Sequence, residues 1–64
     1  MNEIIKKRVL KEANHILQTK DTIRSTAKVF DISKSTVHTD LNKRLKEIDQ
    51  NLANQINNIF KDHE

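Results

Sequence analysis

Glycine, proline, cysteine, tryptophan and tyrosine are all missing from these 64 residues, and two phenylalanines supply the only aromatic rings apart from histidine. Tight β-hairpins depend on Gly and Pro for their backbone angles, so their absence argues against a sheet and for helices joined by Asp, Asn, Ser and Thr. Without cysteine there is no disulfide framework and no thiolate metal site. Without glycine there is no Gly-rich loop to cradle a phosphate. No apolar run approaches the ~18 residues needed to span a bilayer, and the opening MNEIIKKRVLKE has no apolar signal-peptide region. A cytoplasmic chain with no membrane partner is therefore expected. RNA binding has no stacking platform to build on, because Phe30 and Phe60 are both expected inside.

What is present is charge and a regular apolar pattern. The net charge of +3 is unevenly distributed. Residues 1–46 carry eleven Lys and Arg against five Asp and Glu, whereas residues 47–64 carry only Lys61 against four acids. A polyanion would engage the first part, while the last part would face away or bind something else. The apolar fraction of 34% is low, but its spacing is helical, which favours an ordered small domain with a thin core.

Four helical segments are expected. The first runs from about Asn2 to Thr19, with Ile5, Val9, Ala13, Ile16 and Leu17 on one stripe, Ile4 and Leu10 widening it, and Lys6, Lys7 and Lys11 opposite. Asn2 or Met1 has to open it, so its first turn is expected to fray. Lys20-Asp21 makes a turn, and Thr22 caps a short second helix, Ile23 to Phe30, in which Ile23, Ala27, Val29 and Phe30 are core-facing. Asp31-Ile32-Ser33 then breaks the chain. Asp31 falls where such a turn requires positive φ, a conformation Asp and Asn tolerate best after Gly, and Ile32 anchors the turn. Ser33 caps the third helix, Lys34 to about Lys46, with Val37, Leu41 and Leu45 inward. Asp49 caps a fourth, whose stripe is Leu52, Ile56, Ile59 and Phe60 and whose polar face is rich in Asn and Gln. The expected fold is thus all-α: one domain over residues 1–64, with a three-helix helix-turn-helix core (1–48) and a C-terminal helix (49–64) packed on it.

Catalysis finds no support in these residues. His15, His38 and His63 are 23 and 25 positions apart, so no pair has the i, i+4 spacing of two ligands on one helical face. There is no Cys nucleophile, and a thin bundle has little room for a substrate. No enzyme activity, metal or cofactor is expected.

The outer row of the third helix points instead to double-stranded DNA. Lys34, Ser35, His38, Thr39 and Asn42 are short or flexible donors and acceptors suited to base edges in a major groove. A merely solvated face is usually dominated by Glu and Lys, yet no acid occurs from Ser33 to Thr39. Phosphate positioning is expected from Thr22, Arg24, Lys28, Ser33, Thr36, Lys43 and Arg44, with Thr36 equally able to bond back within its own first turn. Asp40 would repel phosphate and is read as a structural acceptor for Arg24 or a nearby Lys. A helical protein-interaction or dimerisation module, using the stripe of the fourth helix, is the alternative of a different class.

The run TIRSTAKVFDISKSTVHTDLNKRL, Thr22 to Leu45, closely resembles the stage III sporulation protein D family of endospore-forming bacteria, and EIDQNLANQINNIF, Glu47 to Phe60, continues the likeness. The match is most specific at Ser33 to His38 and at Asp40-Leu41. A broader similarity exists to the DNA-binding domains of DeoR-type repressors. The family resemblance implies a sequence-specific transcriptional regulator, activating some sporulation genes and repressing others. It would act on promoter DNA in the mother-cell cytoplasm, at the nucleoid, with RNA polymerase as a further partner and a monomer preferred over a dimer. Thr26, Asp31 and Lys46 depart from the family's aliphatic residue, Gly and Pro. The family pattern runs on into a basic C-terminal segment that assists DNA binding. Because this sequence stops at Glu64, before that segment, either a shortened chain or a paralogue of weaker affinity is expected.

Overall fold

Short polar side chains set four helix starts in the computed structural model, which describes residues 2–62. Asn2 caps α1 (Glu3–Thr19) by accepting the Ile4 N–H at 2.8 Å, so the first turn is tied rather than frayed. Thr22 caps α2 (Ile23–Val29) through the Ser25 N–H at 3.0 Å. Ser33 caps α3 (Lys34–Thr39) through the Thr36 N–H at 3.1 Å. Asp49 accepts the Leu52 N–H at 3.1 Å at the start of α5 (Gln50–Asp62). Each bond satisfies an amide that the helix itself leaves without a partner.

The third helix is longer than expected and not uniform. After α3 the backbone widens into a π-helical turn, Asp40–Arg44, and continues as α4 (Leu45–Ile48). The Leu45 N–H reaches back five residues to the Asp40 carbonyl. The widening has a packing consequence. In a regular α-helix, side chains eight residues apart drift by ~80° around the axis. The wider turn rotates less per residue and offsets that drift, and Val37, Leu41 and Leu45 are all buried in one row.

Among the described residues, two take left-handed backbone angles without being glycine. Lys20, at φ 60°, ends α1 and donates its N–H to the Ile16 carbonyl at 2.8 Å. Asp31, at φ 56°, turns the chain between α2 and α3, as its position in the sequence implied. The Ile32 N–H then bonds to the Ala27 carbonyl at 3.0 Å, and the half-buried Ile32 side chain packs on the core.

The core draws one patch from each helix: Val9, Ala13 and Ile16 of α1, Ala27 of α2, Val37, Leu41 and Leu45 of the third helix, and Ala53, Ile56 and Ile59 of α5. α5 lies across α1 and α4, so its apolar stripe closes the core instead of standing free for a partner. Three expected core residues are outside it: Ile4, Val29 and Phe30. Ile4 is 77% exposed and Val29 59% exposed. At ~100° per residue, Ile4 lies ~140° around α1 from Val9, and Val29 lies ~200° around α2 from Ala27, on faces that no other helix covers. Phe30 is only half-buried and meets the His15 ring edge-on, with centroids 5.8 Å apart. His15 Nε2 in turn pairs with Asp21 Oδ2 at 2.8 Å, tying α1 to the turn that follows it.

Candidate nucleic-acid interface

With Val37, Leu41 and Leu45 facing the core, the outer side of the third helix carries Lys34, Ser35 and His38 exposed and Thr39 and Asn42 half-exposed. Four of these, Lys34, Ser35, His38 and Thr39, line one shallow depression of about 370 Å³. Asn42 donates Nδ2 to the His38 carbonyl at 2.9 Å, which engages one of its two amide hydrogens and fixes its direction on the helix.

The flanking cations and caps divide into three groups. Thr22 and Arg24 join Lys34 around a second depression of about 300 Å³, floored by Ile23 and Phe60. Lys28 and Lys43 are exposed but line none of these depressions. Ser33, Thr36 and Arg44 are already engaged. The Ser33 and Thr36 hydroxyls lie 2.8 Å apart, so Thr36 bonds back within its first turn. Arg44 Nη1 donates to Asp40 Oδ1 at 2.6 Å.

Asp40 is the structural acceptor expected of it, but its partners differ from those foreseen. Arg24 sits exposed on α2, and Arg8 of α1 takes the place expected for it. Arg8 donates Nε and Nη2 to the two Asp40 oxygens at 3.0 and 3.1 Å, a bidentate clamp that joins α1 to the third helix. Burial alone would raise the Asp40 pKa. Hydrogen bonds from Arg8 and Arg44 outweigh it and leave the carboxyl below its ordinary value. The same pairing raises the pKa of Arg8.

Beside Asp40, α1 buries a second carboxyl, Glu12, which is 0% exposed. Neither of its oxygens accepts a hydrogen bond, and its cation contact is the Arg8 Nε at 3.5 Å. Burial, then the neighbouring carboxylate of Asp40, pushes its pKa from 4.5 up to about 8. A protonated Glu12 becomes a donor to Asp40, and this removes the unsatisfied carboxylate. Two carboxyl groups, Glu12 and Asp40, and two guanidinium groups, Arg8 and Arg44, thus hold the third helix from behind.

A further depression, the largest of these at about 510 Å³, was not foreseen. His38 and Asn42 form one wall, and Asn57, Asn58 and Lys61 of α5 form the other. Ile23 and Phe60 lie between them. Each pair of depressions shares a wall: His38 lines the first and the largest, Lys34 the first and the second, and Ile23 and Phe60 the second and the largest, so the three adjoin as one surface, and among the described residues no acid lines it. The sequence held a signal for the α5 wall: an unusual run of Asn and Gln without an acid between Asp49 and Asp62.

Among the described residues no cluster of His, Cys, Asp or Glu can hold a metal ion, and no helix is long and apolar enough to cross a membrane. His63 lies outside the described residues.

A short helix, a tight positive-φ turn and a second helix presenting an acid-free polar row define this chain as a helix-turn-helix protein. Within that class it belongs to the stage III sporulation protein D family, whose pattern matches residues 2–64. It is 48% identical over 63 residues to the Stage III sporulation protein D of Bacillus subtilis (strain 168), an alignment covering 98% of this chain and 68% of that one. No solved structure matches it.

Proposed function

We propose that this chain is a sequence-specific regulator of sporulation genes that inserts its third helix into the major groove of promoter DNA. Lys34, Ser35, His38, Thr39 and Asn42 read base edges. Thr22, Arg24, Lys28 and Lys43 hold phosphates, and Ser33 and Thr36 order the first turn that presents the reading row. Arg44 exchanges its bond to Asp40 for a phosphate or stays as a positioning residue for Asp40. The protein binds as a monomer in the cytoplasm, on the nucleoid of the mother cell. It activates or represses according to where RNA polymerase stands relative to the site.

The observation that carries this reading is the continuous surface centred on Lys34 and His38, which no acid lines among the described residues. It is presented by a helix whose opposite face is locked into the core. A duplex with densely spaced phosphates is the partner such a surface excludes least and attracts most. Selection from random duplex DNA at low salt tests it: a recovered consensus supports the reading, and no enrichment contradicts it. Four to six phosphate contacts predict a slope of log K against log salt of roughly −4 to −5.

A further inference from the structure

We propose that the carboxamide face of α5 is a second DNA-contacting surface, which grips the sugar–phosphate backbone beside the groove that the third helix enters. The inference rests on the DNA-binding reading above and extends it to an element outside the helix-turn-helix.

α5 exposes six carboxamides and Lys61 between Asp49 and Asp62, and no acid. That composition is a poor choice for a helix that needs only solubility. Four of the six are Asn, which supports helix less well than Lys, Glu, Gln or Ala, and local choices that conflict with the structure they occupy concentrate at functional sites. Gln50 donates its Nε2 to Asn54 Oδ1 at 3.1 Å. Among the described residues, the side chains of Asn57 and Asn58 have no hydrogen-bond partner within the chain.

Their position gives the face its occupant. Asn57, Asn58 and Lys61 form the wall of the 510 Å³ cleft that faces His38 and Asn42. A duplex whose major groove holds the third helix passes its flanking strand along this wall. Neutral amides and a single ammonium are the groups that bond phosphate and sugar oxygens without reading sequence. A protein partner fits less well, because docking faces centre on a large apolar anchor, whereas the apolar residues here, Ile23 and Phe60, are half-buried beneath the polar walls.

The test uses the selected duplex and a scrambled one of equal length. The variants are Asn57→Ala with Asn58→Ala, Lys61→Ala and Asn58→Asp, and since all three positions are exposed, thermal midpoints should match the parent. The double alanine variant should weaken both duplexes about equally, by roughly tenfold. Lys61→Ala should weaken both and make the salt slope shallower by about 1. Asn58→Asp should weaken binding more than the alanine change does, through repulsion. Unchanged affinity in all three, with the parent still selecting its site, overturns the role of α5 and leaves the third-helix reading intact. Loss of affinity for the selected duplex alone overturns the assignment to backbone. Failure of the parent protein to bind any duplex removes both readings.

Discussion

Asp40 is the residue on which the position of the third helix depends most. Its carboxylate is fully buried, while the Arg8 and Arg44 side chains it holds are 30% and 36% exposed. Removing a buried member of an ion pair costs about 3–5 kcal/mol, and solvent reaching the two guanidinium groups places Asp40→Ala near 3. A domain of this size has only about 3–5 kcal/mol to lose, so the variant should be substantially unfolded at 25 °C by circular dichroism. A native-like melt would contradict the clamp.

Glu12 sets a pH dependence whose sign follows from the direction of its shift. Its folded pKa of about 8 lies above the ordinary 4.5, so the folded chain holds a proton that the unfolded chain releases between those values. Stability contributed by this group is therefore present below pH 4.5 and is lost as pH rises towards 8. The limiting slope is about 1.4 kcal/mol per pH unit. Asp40, shifted the other way, contributes stability that is lost as pH falls below its ordinary 3.8. Glu12→Gln keeps a donor for Asp40 and removes the titration, so its thermal midpoint should stay level from pH 5 to pH 9 while that of the parent falls. A parent midpoint independent of pH over that range would show that Glu12 is not held protonated.

At the scale of elements, the sequence was most readable where a single residue decides a helix end. Thr22, Ser33 and Asp49 cap the helices they were expected to cap, and Asp31 takes the expected positive φ. The ends of the third helix were less readable, because the π turn arises from packing Leu45 in register with Val37, which no local propensity encodes. Lys20 went unnoticed as a second left-handed residue, since Lys carries no preference for that conformation. Lys20→Gly removes the steric cost of a side chain at φ 60° and should add about 1 kcal/mol. In a domain this small that raises the thermal midpoint by roughly 4–8 °C. No change, or a lower midpoint, would mean that the α1–α2 turn relaxes away from this geometry in solution.

Across the whole molecule, periodicity located the core but not the charges inside it. Val9, Ala13, Ile16, Ala27, Val37, Leu41 and Leu45 follow from spacing alone. The Arg8–Asp40 clamp joins residues 32 apart, and nothing local pairs them. Glu12 was visible only in part. It stands three residues after Val9 and four before Ile16, inside the apolar arc of α1, where an acid is a conflict that only a distant partner resolves. The reading row of the interface was legible because one helix carries all of it. The α5 wall was not, because it joins that row only when the fourth helix folds back over the first and third.

The most direct test of the central claim compares affinities for the selected duplex and a scrambled duplex, for the parent protein and for Lys34→Ala. If the third helix reads the groove, Lys34→Ala should reduce the preference between the two duplexes by about tenfold, corresponding to one lost base contact of 1–3 kcal/mol. Arg24→Ala, removing a phosphate contact, should weaken both duplexes alike. Full discrimination retained by Lys34→Ala would contradict the assignment of sequence reading to this helix.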